Sequence, residues 1–522
     1  MRLRLLAAGV AGVAGAASMP PGHVPLMAVV LAVVFALVAN APGVRSAFFV
    51  GAAFALTFFA LHILWLPASF SVLLGDVFWP LFPLLVAALA AIWGVTTAAA
   101  RGLTGGGGAT LAWLVPGWVF VEWLRGLGFL GFPWGSVGYT WLDTPVAQWA
   151  DVLGVHGLGV LTTLLAALLA APFVSTPRRR DGFRYHYRYG FSTLGTARGA
   201  RLGVRRWLAW PLTIAVVTLA WWGGVQRDAA VRASMQTPDR SALLVQGDVD
   251  PFGRAAGAAL ELDVHLDLTR AGVRDGVDLV VWPEGAILSA PLEGFRGEPI
   301  RAMLRESAPD AAFVVGGRAD VPGGSANAVF GVEEGTITGR YDKHVLVPFG
   351  ERWPLLEAAA PLYRAIFGLF GLPLLTNTVP GPGPAPLAVN GASVAAYVCY
   401  ESVFPRIPRR MVEGGAGVLI NVTNDAWFAR GNGAEQHFDM GRLRAIETRR
   451  WLLRAGNDGI TAVVDPTGRT VASLPRGVRD TLVVSYAERR DVTGYVRYGA
   501  AIPWMLGLAT LLMTLWGVAR RW

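Results

Sequence analysis

Hydrophobic positions along this chain follow two regimes. In the first, apolar runs close to the ~20 residues a helix needs to cross a lipid hydrocarbon core recur at 23–41, 47–68, 77–99, 109–125, 153–174, 207–224 and 499–519. A shorter run at 5–18 follows Arg2 and Arg4 and has the layout of a signal-peptide core, but further spans come directly after it, so it reads as an uncleaved first helix. The pattern predicts about eight transmembrane helices, seven within 1–224 and the eighth, with a short tail, within 491–522.

The second regime occupies 225–490. Short β-rich runs, SALLVQ at 241–246, VDLVVW at 277–282, AFVVG at 312–316, VAAYVC at 394–399 and VLINV at 418–422, alternate with helical stretches near 256–272, 297–308, 404–413 and 435–453. Strands alternating with helices predict an α/β layered domain, and a stretch of this length can bury its own core.

Charge orients the two regimes. Arg2, Arg4, Arg45, Arg101, a cluster at 178–206, and Arg520 with Arg521 lie at alternate ends of an eight-span path, which the positive-inside tendency assigns to the cytoplasm. The 225–490 segment then lies outside it. The cluster holds nine arginines against Asp181 and accounts for nearly all of the +9 net charge. Phe183, Tyr185, Tyr187 and Tyr189 interleave with it, a combination able to stack nucleic-acid bases, but beside a span anionic lipid headgroups are the simpler target, so no nucleic-acid partner is expected. With 53% apolar and 16% charged residues and a mean hydropathy of +0.45, an ordinary soluble enzyme is disfavoured. The loop Gly128–Trp149 carries Trp134, Tyr139, Trp141 and Trp149, which read either as a headgroup-level aromatic belt or as a floor beneath the α/β domain.

Composition singles out two residues. Lys343 is the only lysine, the other 44 basic residues being arginine, and Cys399 is the only cysteine. A lone lysine is either chance survival in an Arg-biased chain or a site where only a compact ammonium works. A lone buried cysteine is either an inert small hydrophobe or a nucleophile. One cysteine excludes an intramolecular disulfide framework and a Cys-cluster metal site. Nor does any motif cradle a nucleotide phosphate, so neither metal nor cofactor is expected.

Three strand ends display reactive side chains, as strand-to-turn junctions commonly do. VVWPEGA delivers Glu284 at the end of an apolar run, YDKHVLVPFGE carries Lys343 and Glu351, and VAAYVCYESVFP ends a run at Cys399, with Glu401 in the turn. Taken singly, Glu284 reads as a solvated turn residue. Taken together, a carboxylate base, an ammonium and a thiol make a carbonyl-attacking site: the base takes the thiol proton and the ammonium steadies the thiolate and the oxyanion.

WPEGA, YDKHVLVPFGE and CYESVFP, in that order, resemble the Glu-Lys-Cys triad of the nitrilase (carbon-nitrogen hydrolase) superfamily. With membrane spans on both sides, the whole chain resembles the apolipoprotein N-acyltransferase family, as do FPWGSVGY, TGYVRYG and the run Asn421–Arg469. The resemblance implies an α-helical multispan protein with an inserted α/β nitrilase-like αββα sandwich at 225–490. It further implies Glu284 as general base, Lys343 as oxyanion and thiolate stabiliser, Cys399 as nucleophile, and Glu351 and Glu401 as supporting acids. Tyr400, Trp427 and Phe428 would be supporting or substrate-binding residues. Gly285, Trp451 and the VQGDVDPFG stretch depart from the family's usual residues without touching the triad.

The activity implied is acyl transfer from a membrane phospholipid, through a Cys thioester, to the N-terminal diacylglyceryl-cysteine of an apolipoprotein, at the bacterial inner membrane with the α/β domain outside the cytoplasm. Some relatives occur beside or fused to a polyprenol-phosphate mannosyltransferase, a partner on which this sequence is silent. Two other readings stand beside it: a membrane-tethered amidase or nitrilase with water as acceptor, and a non-catalytic membrane scaffold.

Overall fold

The computed structural model describes residues 1–522 except 23, 76–78, 176–206, 251–256, 289–290, 354, 357, 370–377, 430 and 521–522. The arginine cluster at 178–206 and Arg521 therefore lie outside the described residues.

A helix occupies each of the eight apolar stretches: Arg2–Ser18, Met27–Ala39, Val44–His62, Leu81–Thr104, Gly108–Arg125, Ala150–Ala170, Ala209–Ser234 and Ile502–Ala519. Among the described residues, four helical segments are long and apolar enough by themselves to cross a membrane: Val44–His62, Leu81–Thr104, Pro145–Phe173 and Gly494–Ala519. Met27–Ala39 is apolar but shorter, and Ala209–Ser234 continues ten residues past the apolar run that predicted it, so that the first strand starts at Arg240. The run 47–68 is broken into Val44–His62 and a separate helix Leu66–Leu74, with Pro67 opening the second where a missing N–H costs nothing.

The α/β portion contains two six-stranded sheets. One is ordered β12 (Asp480–Tyr486), β1 (Arg240–Gln246), β2 (Leu279–Val281), β3 (Ala312–Val321), β4 (Gly324–Glu333) and β5 (Thr336–Asp342). The other is ordered β11 (Thr470–Ser473), β10 (Ala462–Val464), β9 (Leu452–Gly456), β8 (Val418–Thr423), β7 (Ala392–Val398) and β6 (Leu387–Val389). The inner strands are apolar without interruption because both faces are buried. Side-chain alternation divides them. Ala242 and Leu244, Leu279 and Val281, Val394 and Ala396, and Val418 and Ile420 meet between the sheets. Leu243, Val245 and Val280 face helices Gly257–Gly272 and Glu298–Ser307, whereas Ala395, Tyr397 and Leu419 face helices Arg406–Glu413 and Gly433–Thr448. Two sheets between two helix layers make the sandwich expected. The second helix layer shares one continuous apolar core with the membrane helices, through Trp134, Leu158, Ile407 and Leu443 among others.

The helix expected at 435–453 ends instead at Thr448. Arg449 takes a left-handed conformation at φ +50°, which turns the chain into β9. The charged, apolar-studded sequence continues a helical pattern past this point, but burial in the sheet, with Leu452 and Leu453 covered on both faces, decides the conformation. Trp134, Tyr139 and Trp141 are buried within the protein, not exposed on its surface as an aromatic belt would be.

Candidate active site

β2 runs parallel to β1 and β3, and β8 runs parallel to β7 and β9, so that β2, β7 and β8 end at a common edge of the sandwich, the place where open α/β sheets display reactive groups. Glu284 lies just beyond β2, Cys399 directly after β7, Thr423 to Asp425 at the end of β8, and Lys343 directly after the antiparallel β5.

Lys343 is 1% exposed. Its Nζ donates to Glu284 Oε1 at 3.1 Å and to Glu351 Oε1 at 2.9 Å. Asn327, in the middle of β4, donates from Nδ2 to the same two oxygens at 2.7 and 2.9 Å. The remaining oxygens are also held: Glu284 Oε2 accepts the Asn424 N–H at 3.0 Å, and Glu351 Oε2 accepts the Val347 N–H at 2.9 Å. Burial works against a charged Lys343, but the carboxylates of Glu284 and Glu351 outweigh it and raise its pKa, so the ammonium is locked on.

Cys399 is buried and reduced. It stands at φ +47°, a left-handed conformation that costs a side-chain-bearing residue ~1–3 kcal/mol and tends to occur where function demands it. Burial and the Glu284 carboxylate push its thiol above the ordinary range, while Lys343 and a Thr423 hydrogen bond pull it down. The resting sulfur is thus a thiol, and its proton must be removed during attack.

Glu401 braces the site without facing it. Its Oε1 accepts from the Tyr341 hydroxyl at 2.7 Å and from the His344 and Val345 N–H groups at 2.9 and 3.1 Å, and Oε2 accepts the Val398 N–H at 3.0 Å. Burial raises its pKa against these donors.

A cavity of about 700 Å³ joins Glu284, Lys343, Glu351 and Cys399 to the membrane helices. Leu66, Phe70, Leu81 and Leu85 line its apolar end, and Trp65, Phe132, Trp134, Tyr400, Trp427 and Phe428 form an aromatic collar. Trp134 stacks on Tyr400 with ring centroids 5.8 Å apart, and the Tyr400 hydroxyl donates to Gly131 O at 2.7 Å. Trp65 and Trp134 both donate to Gln436 Oε1, at 2.9 and 3.1 Å. The space is apolar and aromatic at one end and polar around the sulfur.

Residues 11–168 match the apolipoprotein N-acyltransferase N-terminal domain, and residues 244–494 match the carbon-nitrogen hydrolase family. An apolipoprotein N-acyltransferase of Bordetella bronchiseptica is 30% identical, the alignment covering 94% of this chain and 92% of that one. Another from Ralstonia nicotianae is 32% identical over 93% of this chain and 88% of the relative. This chain belongs to the apolipoprotein N-acyltransferase family. Among solved structures, an amidase from Nesterenkonia sp. aligns at 21% identity with a TM-score of 0.37, covering 50% of this chain and 94% of that one. Family membership and the apolar helices together describe an enzyme of a bacterial membrane.

All eight residues singled out in the sequence lie in or around this one site. Sequence reasoning missed Asn327, Gln436, and the buried group Asp425, His437 and Arg454 behind Cys399. Asn327 had no signal, lying inside a strand that was not predicted. The other four fall within the Asn421–Arg469 run, which carried the family resemblance but no role. Among the described residues no cluster of three or more His, Cys, Asp or Glu is arranged to hold a metal.

Proposed function

We propose that the chain N-acylates lipoproteins in two half-reactions on Cys399, with a phospholipid as acyl donor and the α-amine of a diacylglyceryl-cysteine as acceptor. Family membership supports the overall activity. The observation that carries the mechanism is the single cavity that runs from the apolar membrane helices to Cys399 and the Lys343 ion-pair cluster.

In the first half-reaction Glu284 takes the Cys399 proton as the sulfur bonds to the ester carbonyl carbon. The negative charge gathered on the carbonyl oxygen is met by the Lys343 ammonium. The ester C–O bond then breaks, Glu284 returns the proton to the leaving glycerol oxygen, and lysophospholipid departs, leaving a thioester. In the second, the acceptor amine attacks the thioester and gives its proton to Glu284. The C–S bond breaks and the thiol is restored. Glu351 holds Lys343 in place. Tyr400, Trp427 and Phe428 enclose the acyl chain and keep water from the thioester.

The same reading assigns eight membrane spans, residues 1–224 and 491–522 to the membrane domain, and 225–490 to an extracytoplasmic domain of the inner membrane. The positive-inside distribution of arginines supports that orientation. Both substrates are anchored in one leaflet, so a site opening at the membrane surface meets them by lateral diffusion.

The test is product analysis. Purified protein in proteoliposomes with phospholipid and a diacylated lipopeptide is expected to yield N-acylated peptide and lysophospholipid in equal amounts. Free fatty acid as the main product, with no acylated peptide, would make the enzyme a hydrolase.

A further inference from the structure

We propose that His437 is the positioning residue for the Cys399 nucleophile, clamping the cysteine's own carbonyl and being held for that task by Asp425 and Arg454. The inference rests on the reading of Cys399 as the sulfur that accepts the acyl group.

The left-handed backbone at Cys399 needs a restraint, because a residue with a side chain relaxes out of that conformation unless its surroundings over-determine it. His437 supplies one from the first half of helix Gly433–Thr448. Its Nε2 is 3.0 Å from Cys399 O and 2.8 Å from Ser402 Oγ. On the other edge of the ring, Nδ1 is 3.1 Å from Asp425 Oδ1 and 3.1 Å from Arg454 Nη2. Arg454 donates to Asp425 Oδ2 at 2.7 Å and, through Nη1, to Asn421 Oδ1 at 2.6 Å. Asp425 and His437 are wholly buried, as is Arg454. Breaking such a set leaves an uncompensated charge, so its geometry is stiff.

Burial and the neighbouring Arg454 lower the pKa of His437, against the Asp425 carboxylate, which raises it. Cys399 O can only accept, so its 3.0 Å contact requires a proton on Nε2, whereas Nδ1 faces both an acceptor, Asp425 Oδ1, and a donor, Arg454 Nη2. The imidazole therefore donates to Cys399 O. In a trans peptide the carbonyl and the following N–H point in opposite directions. Fixing Cys399 O thus fixes the Tyr400 N–H, the backbone donor next to the sulfur, together with the direction in which the Cys399 side chain leaves the backbone.

Ser402, His437 and Asp425 also have the spacing of a Ser-His-Asp relay. Ser402 is 1% exposed and does not line the cavity, so it has no access to substrate. His437 acts through Cys399 instead.

The experiment compares His437→Phe, which keeps a packed ring without a donor, with His437→Gln, whose amide N–H can reach the same carbonyl, and with His437→Ala. Full-length proteins are incubated with phospholipid vesicles. The rate of acyl addition to Cys399 is read by intact mass across phospholipid concentrations, in variants that retain the wild-type melting temperature. Displacing the nucleophile by ~1 Å costs about 10²-fold in rate, and this loss is expected for Phe and Ala with the half-saturating phospholipid concentration unchanged. Gln is expected to recover at least about tenfold of it, one hydrogen bond to a buried acceptor being worth about that much. A Phe variant at the wild-type rate, or a Gln variant as slow as Phe, overturns the proposal. Failure of the wild-type protein to gain an acyl mass contradicts the thioester mechanism instead, so the two failures are distinct.

Discussion

The Glu401 carboxylate accepts the Tyr341 hydroxyl at 2.7 Å, and through that contact the turn that presents Cys399 is fastened to the strand end that presents Lys343. Three backbone N–H groups on the two segments close on the same carboxylate. Every partner is a donor. Glu401→Gln would aim an NH₂ at one set of them, with a cost of ~1–3 kcal/mol for the groups left unpaired. Acyl-enzyme formation is expected to slow by about 10²-fold, as for a nucleophile displaced by ~1 Å, with a lowered melting temperature. Wild-type rate and melting in the Gln variant would contradict this role.

Lys343 neutralises two carboxylates, both of which accept from its ammonium. Lys343→Met leaves Glu284 and Glu351 sharing Asn327 with no positive charge between them. Loss of one oxyanion donor typically costs ~10²–10³ in rate, and at least that is expected here. Lys343→Arg is expected to fail equally, because the planar fork cannot replace a compact ammonium at a position 1% exposed. Single-turnover acylation measured by mass checks both.

These residues differ in how far the sequence reveals them. Glu284 and Cys399 each end an apolar run, and Lys343 and Cys399 are unique in composition, so all three are legible without coordinates. Asn327 is not, since its importance lies in sitting on β4 across from two strand ends that meet only in the sandwich. Arg454 sits in a stretch whose helical pattern conceals a strand, because the left-handed Arg449 that ends the helix leaves no clear mark in the sequence. The two sheets were legible where strands are continuously apolar, as in β1 and β8. They were not where exposed residues alternate, as in β5 and β11.

The thiol pKa of Cys399 is raised by burial and then by Glu284. For an acid, a raised pKa means the neutral form persists to higher pH. Iodoacetamide labelling of Cys399 is therefore expected to be slow at neutral pH and to climb as pH rises beyond the usual thiol range. Glu284→Gln removes the negative neighbour, so labelling should begin at lower pH while acyl transfer is lost with the base. A labelling profile in Glu284→Gln shifted to higher pH would contradict the assignment.

The aromatic collar separates binding from chemistry. Trp134→Ala removes the ring stacked on Tyr400 and one of the two indole donors to Gln436. Truncating a buried Trp costs ~3–5 kcal/mol of stability. Among molecules that remain folded, the half-saturating phospholipid concentration is expected to rise about tenfold, or one lost contact of ~1.4 kcal/mol. Equal half-saturation in wild type and variant, measured in vesicles, would remove Trp134 from the acyl site.

Intact-mass analysis of wild type and Cys399→Ala after exposure to phospholipid is the most direct test of the thioester account. Wild type is expected to gain the mass of one acyl group, to lose it to hydroxylamine, and to lose it again when a diacylated lipopeptide is added, while Cys399→Ala gains nothing. An acyl adduct that persists in Cys399→Ala, or acylated lipopeptide produced without this cysteine, would contradict it.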